Sequence, residues 1–155
     1  MNSRSVSNAV PRLALLGLAM LAAPTAQATI SFTVDTVADL VDDDVSDGVC
    51  GTSVDSCSLR AAIMQANRII GLDVTILLPA GTYTLALPAS GVDGDDNGDL
   101  LLTTPLTGNP VIAISGAGAA TTIIDANQID RVLTVDPDRT ANISGVTVRN
   151  GSMPN

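Results

Sequence analysis

The sequence predicts an all-β chain wound as a parallel β-helix, with one short helix near its start. Three observations predict it. The 155 residues contain no Lys, Glu or His, so every base is Arg and every acid Asp, while Gly, Thr and Val are abundant; this removes two good helix formers and favours strands and turns. From residue 73 onward, short runs alternate apolar and polar positions and are broken by Gly, Pro, Asp and Asn, the period of half-buried strands. Finally, Ile114-Ser115-Gly116 returns as Ile143-Ser144-Gly145, 29 residues on, a spacing suited to successive turns of a solenoid. A β-sandwich would account for the strands but not for the recurrence.

The elements follow in order. Arg4 and Arg12 precede an apolar run over 13–23, and Pro24-Thr-Ala26-Gln-Ala28 follows it, so residues 1–28 read as a secretory signal peptide cleaved between Ala28 and Thr29. The run is too short to span a bilayer, and no transmembrane segment is expected in the mature chain. Residues 30–34 alternate as a first strand. The Asp-rich stretch 35–48 is too charged for a core and reads as a solvated loop. Cys50 and Cys57 form an even pair in an exported chain, which points to a disulfide. Free buried thiols are the alternative; zinc would need two further good ligands in a chain without His.

A helix is expected over 58–70. Ser58 stands at the N-cap position and Gly71 as the stop; Leu59, Ala62, Ile63, Ala66 and Ile70 form an apolar face opposite Arg60, Met64, Gln65 and Arg68. A solenoid exposes unpaired backbone at its ends, and this helix is placed to be the lid, with Leu59, Ala62, Ile63 and Ala66 packed on the first coil. Strands are expected at 74–78, 82–87, 100–103, 111–115, 121–124, 132–135, 141–144 and 146–149. Residues 29–72 therefore form an N-terminal cap and residues 73–155 the first coils.

The string 39–48, Cys50, Cys57-Ser-Leu-Arg60, Ala62-Ile63, Gln65-Ala-Asn67, Leu78-Pro-Ala-Gly-Thr-Tyr83 and Ile114-Ser-Gly-Ala-Gly118 resembles the CSLREA-type N-terminal region of bacterial right-handed β-helix proteins of the pectin-lyase-like superfamily. The resemblance extends from about Thr33 to Gly151 and implies a right-handed parallel β-helix, usually continued through many more coils. Ala61 departs from it. The family has Glu there, and without that carboxylate Ser58 caps alone rather than in a reciprocal box.

Composition excludes several functions. The net charge is −9, and removing Arg4 and Arg12 with the signal peptide takes it to −11; an acidic chain with one Tyr and one Phe does not suit nucleic acid. Without His, Lys or Glu there is no hydrolytic triad. Residues 93–99, Asp-Gly-Asp-Asp-Asn-Gly-Asp, open like a calcium loop, but its twelfth position is Thr104 rather than a bidentate Glu; Asp42, Asp43, Asp44 and Asp47 form a second acidic group. The glycines from Gly116 to Gly118 precede a strand, so they read as a tight corner rather than a dinucleotide fingerprint. The superfamily includes enzymes that cleave acidic polysaccharides with Asp-bound calcium and a basic residue, which makes Asp125, Asp130, Arg131 and Arg149 the only catalytic candidates. Turn aspartates paired with surface arginines explain the same residues more simply. The expectation is thus an exported structural or adhesive β-helix protein, secreted or at the cell surface, with no catalytic, metal or cofactor site assigned, whose partners are surface glycans or proteins. A polysaccharide lyase or hydrolase and a calcium-binding surface module are the alternatives.

Overall fold

The computed structural model describes residues 29–103, 107–108 and 110–153. The signal-peptide reading, including Ala28, and the Thr104 position fall outside them. Strand β1 (Thr29–Thr33) precedes helix α1 (Leu59–Arg68), and eight strands follow: β2 (Asp73–Leu78), β3 (Gly81–Thr84), β4 (Leu100–Leu102), β5 (Val111–Gly116), β6 (Thr122–Asp125), β7 (Leu133–Val135), β8 (Thr140–Ser144) and β9 (Thr147–Arg149).

The strands form three sheets, ordered β1-β2-β5-β8, β3-β6-β9 and β4-β7, and every pairing is parallel. The circuits β2-β3-β4 and β5-β6-β7 each contribute one strand to each sheet, and β8-β9 follow on the first two, the arrangement of a parallel β-helix. The 29-residue recurrence is a true coil repeat, because Ile114 lies on Ile143 and Ser115 on Ser144. At Gly116 and Gly145 the two coils touch backbone to backbone. A Cβ on either glycine would collide with the other's carbonyl, and Gly145 has φ +65°, so only glycine fits. The 116–118 turn leads directly into β6, as a corner should.

Parallel register turns alternate residues into interior columns. Phe32, Ile76, Ile114 and Ile143 make one, Tyr83, Ile124 and Val148 another, and Leu100 with Leu133 a third. The columns are sealed at one end and open at the other. Ile76 and Ile114 are 0% and 1% exposed, whereas Ile143 is 36% and Val148 45% exposed.

Helix α1 closes the sealed end against β2 and β4. Leu59, Ala62, Ile63 and Ala66 lie in the same core as Val74, Ile76 and Leu100. Two features differ from the sequence reading. The helix stops at Arg68, since Ile69 is already extended (φ −70°, ψ 127°); Gly71, at φ +71°, shapes the following turn instead of ending the helix. More important, the helix has no solvent face over most of its length. Every residue from Leu59 to Asn67 is buried, including Arg60, Met64 and Gln65, because loops pack over the side expected to be wet. Nor is the Asp-rich loop wholly solvated: Asp42 is 7% exposed and the Asp39 side chain 3%.

Candidate functional site

The densest polar chemistry lies under the cap, and it starts with Arg60. Its Nε donates to Asp39 Oδ1 at 2.7 Å and its Nη2 to Asp39 Oδ2 at 3.1 Å, a two-pronged ion pair of the geometry that suits guanidinium and carboxylate. The remaining N–H groups reach main-chain oxygens of the 95–99 loop: Gly98 at 2.8 Å, Asp99 at 3.1 Å, Asn97 at 3.2 Å and Asp95 at 3.4 Å. Asp39 Oδ2 also accepts the N–H groups of Ala86 and Leu87. One buried pair therefore satisfies backbone on both sides of the coil.

Asn67 acts in the same way about two turns further along the helix. Its amide donates to Leu101 O at 2.9 Å and accepts from Thr103 N at 3.1 Å, as a neighbouring strand's peptide group would. The exposed edge of β4 is thus closed by a side chain. Sequence reading assigned the lid's work to its apolar face and missed these two polar residues; the available signal was that both belong to the quoted motif, Arg60 in Cys57-Ser-Leu-Arg60 and Asn67 in Gln65-Ala-Asn67.

The Cys50–Cys57 disulfide is formed, with Cα atoms 5.2 Å apart, and it ties the Asp-rich loop to the helix start. Ser58 is the N-cap, accepting from Ala61 N at 3.0 Å while its hydroxyl donates to Leu40 O.

The carboxylates of the 93–99 loop are turned onto protein partners. Asp95 receives Asn67 and Arg68, Asp93 receives Arg131, and Asp99 receives Thr134 and pairs with Arg131 at 3.3 Å. Its carbonyls converge on Arg60, so a guanidinium sits where a calcium ion would draw oxygen ligands. Among the described residues no group of three or more Asp or Cys side chains is arranged to hold a metal.

The four catalytic candidates fall into two separate ion-paired sets. Arg149 Nε lies 2.8 Å from Asp125 Oδ2, and Asn150 also donates to Asp125. The Asp125 carboxyl is held below its ordinary pKa, chiefly by the Asn127 N–H and then by Asn150 and Arg149. Arg131 spans Asp93, Asp99 and Asp130, and its pKa is raised first by the bond to Asp93. The Asp125 shift runs away from neutral pH, the opposite of the tuning a proton-transfer group needs.

The outer face of the first sheet is different in kind. Its outward rows are Thr29-Asp73-Val111-Thr140, Ser31-Thr75-Ala113-Asn142 and Thr33-Leu77-Ser115-Ser144. Among the described residues of these rows Asp73 carries the sole charge, and most of the others are Ser or Thr. At its corner a shallow groove of about 300 Å³ is lined by Leu77, Leu78, Pro79, Ser115, Gly116 and Ala117.

Among the described residues no helix is long and apolar enough to cross a membrane. No family model, no curated protein and no solved structure matches the chain.

Proposed function

We propose that this chain is the capped N-terminal section of an exported β-helix protein with a structural or adhesive role, a member of the CSLREA-type group it resembles, which holds surface glycans or proteins without turning them over. The observation that carries this reading is the asymmetry of the solenoid. One end is sealed by α1, Arg60 and Asn67, while β7, β8 and β9 have no further partner strand among the described residues. A capped first coil is the form of a module that starts a coil stack. The nearly uncharged hydroxyl face supports adhesion, since it offers hydrogen bonds to neutral partners in an otherwise acidic protein. The paired state of Asp125, Asp130, Arg131 and Arg149 supports a role without catalysis, and the disulfide is consistent with an oxidising destination.

The test has two arms. Expressed with its N-terminus intact, the protein is expected in the surface or secreted fraction with Thr29 as its first residue, and the immobilised protein is expected to retain surface glycans or proteins unchanged. Retention in the cytoplasm with residues 1–28 attached overturns the export reading. Cleavage of a glycan that is lost on Arg131→Ala or Arg149→Ala overturns the non-catalytic one.

A further inference from the structure

The loop between Asp42 and Gly51 and the helix residue that faces it, Gln65, hold two groups that the fold leaves unexplained. Asp42 is 7% exposed, yet among the described residues its partners are N–H groups alone, Asp44 N on Oδ1 and Gly51 N on Oδ2, and no ion pair reaches it. Gln65 is 1% exposed. Its Nε2 donates to Asp47 Oδ1 at 3.1 Å, which turns the amide head onto the acidic loop, and its Oε1 is buried with no hydrogen-bond partner. Rotating the amide would set Oε1 against the Asp47 carboxylate, so the orphan is not an artefact of orientation. Burial is the first cause that raises the Asp42 pKa, and Asp47 and Asp43 raise it further. Every arginine with an ion pair in this structure is spent elsewhere, on Asp39, Asp95, Asp93, Asp99, Asp130 or Asp125.

A buried acceptor without a donor, on a side chain bonded to an acidic loop that also carries the buried, unneutralised Asp42 carboxylate, is the signature of an absent cation. We propose that this loop binds a hard divalent cation, calcium, through the Asp42 and Asp47 carboxylates and the Gln65 Oε1. Calcium accepts mixed carboxylate and amide oxygens and completes its shell with water. With fewer than three carboxylates the site belongs in the weak range of extracellular calcium modules, roughly 10⁻⁴ to 10⁻³ M, and the bound ion would lock the disulfide-closed loop onto α1. The proposal is independent of the adhesive reading, since it concerns the stability of the cap alone.

Thermal unfolding of the oxidised chain in calcium and in EDTA, at matched ionic strength, tests it. With calcium tenfold above its dissociation constant the midpoint is expected to rise on the order of 5 °C. Gln65→Met, which keeps the volume and removes Oε1, is expected to fold and to lose the rise. Asp42→Asn is expected to lose it too, read against its own midpoint in EDTA, because the asparagine keeps only one of the two acceptors that hold Asp44 N and Gly51 N. Asp96→Asn in the other acidic loop is expected to keep the full rise. Equal midpoints in calcium and EDTA overturn the proposal. So does a rise that survives Gln65→Met and Asp42→Asn, or one abolished by Asp96→Asn.

Discussion

Arg60 shows how a side chain can replace a strand. Its guanidinium is fully buried, matched by Asp39, and directed at four carbonyls that coil geometry leaves without partners. Such an ion pair adds little net stability over a well-packed apolar pair, but losing one member is costly because the other charge stays buried. Arg60→Met is therefore expected to destabilise the oxidised protein by about 3–5 kcal/mol, measured by urea unfolding; a loss below about 1 kcal/mol would show that water replaces the guanidinium freely. Asp125 and Asp42 give opposite acid responses. A carboxyl with a depressed folded pKa, as at Asp125, contributes stability present above the unfolded pKa and lost as pH falls through the folded value. Asp42, with a raised pKa, costs stability above its folded value and releases that cost as pH falls. Melting curves between about pH 2 and 5 are expected to show a shallower acid loss for Asp125→Asn than for the parent, whereas Asp42→Asn, which removes the one contribution that grows as pH falls, steepens the net acid loss.

At the scale of elements, strand positions were legible because inward and outward residues alternate with period two. Thus β5 and β8 emerge within a residue of their expected bounds, and the recurrence of Ile-Ser-Gly marked the stacking of one on the other. The helix was legible at its start, where Ser58 caps it, and less so at its end, where Ile69 leaves the helix two residues before Gly71. Its environment was not legible. Arg60, Met64 and Gln65 have the periodicity of a wet face, and only the tertiary return of the 95–99 loop and the tie from Cys50 to Cys57 bury them. For the same reason the 93–99 loop resembled a calcium site: its composition is that of one, but its carbonyls belong to an arginine 35 to 39 positions earlier. The disulfide acts on the element that needs it. Closing so short a ring restrains the unfolded chain by about 2.5 kcal/mol, so a Cys50→Ser, Cys57→Ser double variant is expected to lose roughly that much while α1 still forms. Ser58→Ala is expected to cost about 1–2 kcal/mol, through the lost cap on Ala61 N and the lost bond to Leu40 O. Circular dichroism with denaturant titration checks both, and a double variant with unchanged stability would show that the loop is held by its hydrogen bonds alone.

Across the whole molecule stability is graded along the solenoid axis, since each coil gains contacts only from its neighbours. The first coil is covered by α1 on one side and the second coil on the other, and the second lies between its two neighbours; among the described residues the third has cover on one side. Within a single column this difference separates identical side chains. Ile114 is 1% exposed between Ile76 and Ile143, and Ile143, one coil on, is 36% exposed. Removing the buried isoleucine leaves a cavity bounded on both sides, so Ile114→Ala is expected to cost about 2–5 kcal/mol. Ile143→Ala removes atoms already in contact with water and is expected to cost less than half as much. Amide exchange should follow the same order, because local opening is easiest where backbone bonds have a partner on one side only. The amides of β8 and β9 are expected to exchange faster than those of β2 and β5, with the Ala126 and Gln128 amides, which donate to Arg149 and Asn150 oxygens, exchanging together with the strands they hold. Uniform protection across all three coils would mean that the open edge is covered in solution, and a partner pairing with β8 and β9 would then be the first thing to seek by sedimentation.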